Sequence, residues 1–306
     1  MGFHYGYLKH LHELGCLKNG ESRILDIGSQ NILDLRVEDV LEFAGWYGRT
    51  DLSKEHLTKE SERIAYFSVV RPGERTTYLS ELLDLTTLFY TSFDVCPALK
   101  TEIFDLNVDD LPASYSEYFD VVLNFGTTEH LLNQLHAFRV MHEALKVGGV
   151  ICHNLPSFGY VNHGYVNYNP LMLRDIAKAN SYEIMDFWYC QGSGGPALEP
   201  EADLRPPGAP YDKNGFKVSQ ALAEHIAYYN LNFLARKTTS ASFRMSLELR
   251  TSHSQVDSGV EEKYKVDLAT VRGIDSEARD DASAPQSGKA PISWMGSIPF
   301  IRRFYK

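Results

Sequence analysis

FDVVLNFGTTEHL, residues 119–131, is the stretch of sequence that decides the fold. Its first seven residues form an apolar run that only Asp120 and Asn124 interrupt, and Gly126 follows directly. A short apolar run closed by a glycine is typical of a buried parallel strand that ends in a tight turn. We therefore predict a strand at 119–126, with polar residues just beyond its carboxyl end.

A helix and a second strand follow this segment. Four apolar residues share one helical face: Leu135, Phe138, Met141 and Leu145. Gly148-Gly149 is predicted to supply the C-cap of that helix, and VICHNLP (150–156) to be the next strand. The order strand, helix, strand is the unit from which parallel sheets with right-handed crossovers are built.

The rest of the chain repeats this alternation. Further strands are predicted over 23–31, 89–95, 101–106, 181–190 and 228–237. Helices are predicted over 3–18, 37–44, 53–66 and 77–88, and after the N-cap pair Asn169-Pro170. The pattern predicts an α/β fold, with a mostly parallel sheet and helices on both faces.

The predicted domain organisation has three parts. An N-terminal helix takes residues 1–20, the α/β domain residues 21–240, and a polar C-terminal extension residues 241–306. Within the extension, DDASAPQSGKAP (280–291) has the composition of a linker. The Gly- and Pro-rich segment 192–215 is predicted to be either a lid or an exposed loop.

The charge and cysteine content narrow the class of partner. Acidic residues (40) outnumber basic ones (30), and the net charge of −10 repels nucleic-acid phosphates and anionic membrane surfaces. No stretch approaches the roughly 18 apolar residues of a membrane span. The four cysteines are far apart, so neither a disulfide framework nor a zinc knuckle is indicated. We expect a cytoplasmic protein with no nucleic-acid partner and no membrane span, and no metal site is visible in the sequence.

Candidate ligand-binding residues lie where the predicted strands end. In an open parallel sheet, a ligand binds beyond the carboxyl ends of the strands, at the point where the strand order reverses. Asp26, Gly28 and Ser29 follow the first such strand, and the glycine lets the backbone come close to a ligand. Asp94 ends a later strand, where a carboxylate can accept hydrogen bonds from both hydroxyls of a ribose, and Asp51 is a rival for that role.

Two more polar positions follow strands. In FDLNVDDLP (104–112), Asp105 or Asn107 either faces an adenine edge or caps a turn. Asn124 could meet the amino group of a ligand while Phe125 covers an apolar face. His130 is either a catalytic group or a packed histidine.

Taken together, these segments resemble the class I S-adenosylmethionine (SAM) dependent methyltransferases, especially the broad group related to the type 11 methyltransferase domain. ILDIGS (24–29) is similar to the first motif of that family. FDVVLNFGTTEHL, with MHEALKVGGVICHNLP (141–156), resembles its fourth strand, helix and fifth strand, and NLNFLARK (230–237) its final antiparallel strand. The resemblance spans residues 20–237 and implies a Rossmann-like, mostly parallel seven-stranded sheet whose last strand is antiparallel. Gln30 departs from the pattern, because the first motif usually has its second glycine there.

The resemblance implies that SAM is the cofactor and assigns residues to it. Asp26, Gly28 and Ser29 would line the methionine end of SAM. Asp94, rather than Asp51, would bind the ribose, which makes residues 32–78 an insertion. The remaining assignments are Asp105 or Asn107 at the adenine amino group, and Asn124 with Phe125 as the wall beside the sulfonium.

The segment 153–170 lies on the acceptor side of such a fold. It offers hydrogen-bonding and aromatic groups that suit a polar small molecule or glycan: His153, Asn154, His163, Asn167 and Tyr168. Transfer to a hydroxyl needs a general base, for which His163 is the first candidate and His130 the second. The other interpretation is a loop whose Asn and Gly residues only make turns.

Two other classes of protein stay open. One is a catalytically silent SAM-fold binding or scaffold protein, which Gln30 in the first motif keeps open. The other is an NAD(P) or nucleotide-sugar enzyme, although the pyrophosphate would lack its glycine-rich cradle. The sequence does not identify the methyl acceptor or the oligomeric state.

Overall fold

The computed structural model describes residues 2–18, 20–33, 35–53, 77–160, 163–191, 197–198, 228–247 and 259. Its strands are, in chain order, β1 (Phe3–His4), β2 (Arg23–Ile27), β3 (Asn31–Leu33), β4 (Thr77–Tyr78), β5 (Phe89–Asp94), β6 (Thr101–Ile103), β7 (Phe119–Phe125), β8 (Leu145–Phe158), β9 (Tyr182–Gln191), β10 (Ala197–Leu198) and β11 (Tyr229–Lys237). The α-helices are α1 (Tyr5–Glu13), α2 (Val37–Trp46), α3 (Leu79–Asp84), α4 (Gln134–Ala144) and α5 (Pro170–Ala179).

The main sheet has the strand order β10-β9-β11-β8-β7-β2-β5-β6. Strands β6, β5, β2, β7 and β8 are parallel to one another, whereas β11 is antiparallel to both β8 and β9. Without the two-residue edge strand β10, this is a seven-stranded sheet whose last strand is antiparallel. The predicted fold class, a Rossmann-like α/β fold with a mostly parallel sheet, is confirmed.

Helices cover both faces of the sheet. Successive side chains of a strand point to opposite faces, so neighbouring residues pack into different cores. Ile24 packs with the core that α1, α2 and α3 cover, and its neighbour Leu25 packs with the core beneath α4 and α5. Both side chains are fully buried. Burial on two faces explains why the central strands are apolar throughout rather than alternating.

The strand order reverses beside β2. From β2 the chain order runs outward through β5 and β6 on one side, and through β7 and β8 on the other. The crevice beyond the carboxyl ends of β2 and β7 is therefore the switch point at which open α/β sheets bind ligands.

The predicted C-cap at Gly148-Gly149 is wrong. Helix α4 already ends at Ala144, because Leu145 adopts an extended conformation and pairs with Phe119 as the first residue of β8. Both glycines lie inside β8. A Cβ atom on Gly149 would come 3.0 Å from the carbonyl oxygen of Asp120, so close packing of two strands requires that glycine.

The region between the first two sheet strands differs from the prediction. Residues 77–88 were predicted to be helical, but Thr77–Tyr78 forms β4 and only Leu79–Asp84 is helical. Backbone pairing with Asn31 and Ile32 holds β4 in a small second sheet of order β1-β3-β4. Residues 54–76, with most of the helix predicted over 53–66, lie outside the described residues.

Other predicted segments are confirmed with shorter bounds. Helix α1 ends at Glu13, well before the predicted stop, and the strand predicted over 101–106 ends at Ile103. The N-cap at Asn169 is confirmed, since its side chain accepts a hydrogen bond from the amide of Leu171 at 2.9 Å. No helix among the described residues is long and apolar enough to cross a membrane.

The three-part domain organisation stays a prediction. Residues 192–215 lie outside the described residues apart from β10, as does the extension beyond 247 apart from Gly259. The start of the extension packs on the domain. His142 Nε2 lies 2.8 Å from the carbonyl oxygen of Ala241, and the amide of Arg244 donates to Asn180 Oδ1 at 2.7 Å.

Candidate active site

The turn after β2 brings the first predicted cofactor residues to the switch point. Gly28 has φ +91°, a conformation that disfavours any residue with a Cβ atom, and its amide donates to the carbonyl oxygen of Phe93 at 2.8 Å. A Cβ atom here would lie 2.3 Å from Thr127 Oγ1. The close approach that requires this glycine is therefore made by a side chain from the loop after β7.

Gln30 makes a contact across this turn. Its Nε2 donates to Thr127 Oγ1 at 3.0 Å, and the side chain is buried. The residue that replaces the usual second glycine thus links the loop after β2 to the loop after β7. The substitution is visible in the sequence, but its partner Thr127 is not, because nearly a hundred residues separate the two.

Asp26 lies inside the sheet rather than on its surface. Tyr90 donates its hydroxyl to Asp26 Oδ2 at 2.8 Å, and Oδ1 has no partner within the described chain. Burial raises the pKa of Asp26 well above its usual range and so favours the protonated acid. Its predicted place beside the methionine end of SAM stays a prediction.

Asp94 lies next to the turn after β2, whereas Asp51 does not. The amide of Ser29 donates to Asp94 Oδ2 at 2.8 Å, so the carboxylate at the end of β5 contacts the predicted cofactor turn directly. Ser29 Oγ is buried without a partner in the described chain. Asp51 is exposed and forms an ion pair with Arg49 at 2.9 Å. This placement favours Asp94 for the ribose role, which stays a prediction.

Asp105 and Asn107 make the contacts expected of a turn cap. Asp105 Oδ1 accepts hydrogen bonds from the amide and the side chain of Asn107. Asn107 Oδ1 in turn accepts the amides of Leu132 and Asn133, each at 3.2 Å. Both side chains therefore hold the loop that leads into α4, and the proposed adenine contact has no support in these bonds.

Asn124 and Phe125 are buried deeper than predicted. Asn124 Nδ2 donates to Thr128 Oγ1 at 3.0 Å and lies 3.0 Å from His153 Nδ1, while its Oδ1 has no partner in the described chain. The Phe125 ring is 1% exposed and lies 4.5 Å from the ring of Phe3, centroid to centroid. The wall beside the sulfonium, predicted from these two residues, stays a prediction.

Several predicted acceptor-side groups are interior. His153 and Asn154 lie within β8, and Asn154 Nδ2 donates to Tyr7 Oη at 2.7 Å and to Asn232 Oδ1 at 2.6 Å. Tyr168 is buried, and its hydroxyl contacts Thr128 and Gln134. These three side chains are buried in the core. The prediction that they bind the acceptor is therefore corrected: they make contacts within the protein. Asn167 donates its amide to the Tyr160 carbonyl at 3.5 Å.

The burial of His153 leads to a prediction about pH. Burial lowers the pKa of His153 to about 3, from about 6.5 in the unfolded chain. The folded state then binds fewer protons than the unfolded state below pH 6.5, so stability falls as the pH falls through that window. Relative to a His153→Gln variant, we expect the unfolding free energy of the wild type to drop by about 2 kcal/mol between pH 7 and pH 5. Urea unfolding of both proteins at the two pH values measures this, and an unchanged difference would show that the buried ring can be protonated.

The remaining predicted residues, His130 and His163, meet at a glutamate that sequence analysis missed. Glu129 Oε1 lies 3.8 Å from His130 Nε2 and 3.5 Å from His163 Nε2. The Glu129 side chain is fully buried, whereas the side chains of His130 and His163 are 49% and 30% exposed. Burial raises the pKa of Glu129 to about 7 and lowers the pKa of each histidine. The structure thus brings together both predicted catalytic histidines, although they come from different loops.

Backbone contacts hold the two loops together. The carbonyl oxygen of Glu129 accepts the amides of Tyr165 at 2.8 Å and Val166 at 3.2 Å. A Cβ atom on Gly164 would lie 2.9 Å from Glu129 Cγ. The chain just after His163 is therefore pinned to residue 129, and these contacts fix the position of the histidine.

Comparisons with known proteins give only distant structural likenesses. No protein-family model matches the chain, and no curated protein matches its sequence. Among solved structures, it is similar to the 1,6-didemethyltoxoflavin-N1-methyltransferase of Burkholderia thailandensis, with 14% identity, 77% of each chain covered and a TM-score of 0.36. It is also similar to phosphoethanolamine N-methyltransferase 2 of Haemonchus contortus, with 15% identity, 76% of this chain and 52% of that chain covered, and a TM-score of 0.39. At such low TM-scores these likenesses carry no argument about function.

Proposed function

We propose that this protein is a SAM-dependent methyltransferase that acts on a polar small-molecule or sugar-type acceptor, at an oxygen atom. The cofactor would lie over the carboxyl ends of β2 and β5, and the acceptor beside the loops that follow β7 and β8. The acidic net charge argues against a nucleic-acid substrate. Four free cysteines fit a cytoplasmic location.

A group of unpaired buried polar atoms carries this proposal. Six such atoms belong to residues near the carboxyl ends of β2 and β7 or in the loops after β7 and β8: Asp26 Oδ1, Ser29 Oγ, Asn124 Oδ1, both carboxylate oxygens of Glu129 and His163 Nε2. Buried polar groups in proteins nearly always have partners, and an unpaired one calls for an explanation such as a bound ligand or water. Open α/β sheets bind their ligands at the topological switch point, beyond the carboxyl ends of strands such as β2 and β7.

The residues around the turn after β2 fit SAM in two respects. The Asp94 carboxylate can accept hydrogen bonds from the ribose hydroxyls, and Ser29 Oγ is available to the methionine end. When bound, SAM supplies a methyl group on a sulfonium that is already primed to leave. The turn after β2 lacks the glycine-rich sequence that would bind a pyrophosphate, which disfavours NAD(P) and nucleotide sugars as ligands.

The chain's own part in transfer to oxygen is to align the acceptor, exclude water and remove a proton. His163 can accept the hydroxyl proton at Nδ1, because its buried Nε2 faces Glu129 at 3.5 Å, and the carboxylate of Glu129 would stabilise the imidazolium that forms. His130 lies on the solvent side of the same glutamate and can help to orient the acceptor. We therefore assign His163 as the base and His130 as its neighbour in the acceptor site.

One observation favours a second candidate function, a catalytically silent SAM-fold binding protein. The contact between Gln30 and Thr127 fills the space directly beside Gly28. If that contact persists, the methionine end of SAM has less room than in a glycine-rich turn. Such a protein would keep the fold but bind SAM weakly or not at all.

The ribose assignment predicts a difference between two aspartates. A carboxylate that accepts hydrogen bonds from two hydroxyls contributes on the order of 2–3 kcal/mol. Asp94→Ala should therefore weaken SAM binding by roughly tenfold to a hundredfold, while Asp51→Ala leaves it unchanged. Equilibrium dialysis with labelled SAM measures both. The opposite pattern would show that Asp51 binds the ribose and that our strand assignment is wrong.

An acceptor screen tests the proposed activity. The full-length protein is incubated with SAM and a panel of hydroxylated metabolites and sugars, and release of S-adenosylhomocysteine is followed. A methyl ether product, identified by mass spectrometry, would support the proposal. Tight SAM binding with no transfer to any member of the panel would favour the silent binding protein.

A further inference from the structure

We propose that Glu129, His130 and His163 form a binding site for a divalent transition-metal cation, with Zn²⁺ as the best fit. Of the residues that the structure describes, only these three form a group of His, Cys, Asp or Glu side chains whose ligand atoms all lie within 4.8 Å of one another. The proposal deepens the function proposed above, since the site lies on its acceptor side. Its binding test does not depend on methyl transfer.

The donor set suits zinc. Two imidazoles and one carboxylate, with a further position open, make up a well-known type of catalytic zinc site. Oxygen-seeking ions such as Mg²⁺ and Ca²⁺ prefer carboxylates, carbonyls and water to imidazole. The sequence shows no zinc-knuckle spacing because His163 comes from a loop far along the chain, which explains why sequence analysis found no metal site.

The distances also suit a cation better than an ion pair. The two contacts from Glu129 Oε1 measure 3.5 Å and 3.8 Å, and neither makes a hydrogen bond. Ligand atoms that are each about 2.1 Å from a tetrahedral zinc lie about 3.4 Å from one another. His163 already lies at this spacing from the glutamate, and the half-exposed His130 ring needs only a small movement.

The unpaired carboxylate is the strongest sign of a ligand. The Glu129 side chain is fully buried, and neither of its oxygens has a hydrogen-bond partner within the described chain. Leaving a buried carboxylate without a partner is strongly unfavourable. A bound cation would satisfy both oxygens, and the partial exposure of the two histidines leaves its remaining positions open to an acceptor hydroxyl.

Such a cation would explain how an acceptor hydroxyl is prepared for transfer. A divalent metal that binds a hydroxyl oxygen lowers the pKa of that hydroxyl, so that near neutral pH it would give up its proton to solvent water. The oxygen would then form the bond to the methyl group as the bond from that methyl group to the sulfur of SAM breaks, which releases S-adenosylhomocysteine. His163 would then act as a metal ligand rather than as the base itself. The preferred acceptors would be those with a hydroxyl group that can reach the metal.

Zinc binding to the full-length protein tests the site directly. The protein is stripped with a chelator, dialysed and titrated with Zn²⁺ in competition with a chromophoric chelator. We expect one Zn²⁺ per chain for the wild type, and at least a hundredfold weaker binding for Glu129→Gln and for His163→Ala. His136→Ala, which changes a histidine outside the group, should bind zinc like the wild type. Mg²⁺ should not compete.

Two further measurements separate loss of the site from loss of the fold and of the function. Glu129→Gln removes a buried charge that has no hydrogen-bond partner and keeps the side-chain shape, so the metal-free variant should unfold at a temperature no lower than that of the metal-free wild type. Its SAM affinity should match that of the wild type. Co²⁺ should give visible absorption bands with the wild type that are absent with Glu129→Gln. Failure of the wild type to bind Zn²⁺, or equal binding by all of the variants, would overturn the metal site whatever the outcome for SAM.

Discussion

His163→Ala is expected to lower the turnover of methyl transfer by about a hundredfold or more, with SAM affinity within about twofold of the wild type. The reason is its position: His163 Nε2 lies 3.5 Å from Glu129 Oε1 in the loop after β8, which we assign to the acceptor, whereas SAM is assigned to the turn after β2. Loss of a base or a metal ligand slows the chemical step, whereas the cofactor contacts stay in place. Steady-state rates with an acceptor from the screen, together with SAM dissociation constants, give both quantities.

A control variant, His136→Ala, and treatment with a chelator show whether His163 acts as a base or as a metal ligand. His136→Ala should keep full turnover, since His136 lies outside the group and contacts the carbonyl oxygen of Asp109 at 2.9 Å. If His163 is the base itself, chelator treatment leaves wild-type activity intact. If His163 holds zinc, chelation abolishes the activity and added Zn²⁺ restores it. Full turnover of His163→Ala would exclude both roles, and loss of SAM binding would move His163 to the cofactor side.

Gly28→Ala is expected to remove measurable SAM binding, a loss of more than about a hundredfold, and to lower the unfolding free energy by about 2–4 kcal/mol. The new methyl group would lie 2.3 Å from Thr127 Oγ1 and 2.9 Å from Gln30 Nε2, at a φ of +91°. The Thr127 side chain must move, which breaks its hydrogen bond with Gln30 and shifts the loop after β7. Chemical denaturation and SAM titration of the variant measure the two effects.

Gly20→Ala is the matched control for this substitution. Gly20 also has a positive φ, +71°, but a Cβ atom there would meet nothing within 4 Å. It should therefore cost only the roughly 1–2 kcal/mol of the left-handed conformation and leave SAM binding unchanged. Adding Thr127→Ala to Gly28→Ala should recover part of the lost stability. Equal effects of Gly28→Ala and Gly20→Ala would contradict the close packing of the two loops.

The strands of the main sheet could be predicted because their apolar runs are buried on both faces. Residues 119–125 and 229–237 are strands as the sequence indicates, and β11 is antiparallel as the family resemblance implies. The C-cap at Gly148-Gly149 could not be predicted correctly, because pairing of Leu145 with Phe119 ends the helix earlier. A long-range pairing of that kind leaves no local signal. The small sheet of β1, β3 and β4 depends on the same kind of contact.

The sequence predicts those site residues that lie at strand ends, but not those whose burial depends on the fold. Residues at the carboxyl ends of strands, such as Ser29 and Asp94, come together because parallel strands end at one edge of the sheet. Burial within β8 cannot be predicted from single residues, and for this reason the sequence predicts His153 and Asn154 as acceptor-binding groups. The partner of the two histidines, Glu129, was missed because an acidic residue in a polar loop is usually exposed, and only the fold shows that this one is buried.

Binding of SAM to the purified full-length protein tests the central claim most directly. Isothermal titration calorimetry with SAM and S-adenosylhomocysteine, and with NAD and a UDP-sugar as comparison ligands, separates the three classes of protein discussed above. We predict one site per chain that binds SAM and its demethylated product, no heat with NAD or the UDP-sugar, and a roughly tenfold to hundredfold loss of SAM affinity in Asp94→Ala. No heat and no thermal shift with SAM at millimolar concentration, or tighter binding of NAD or the UDP-sugar, would contradict the account.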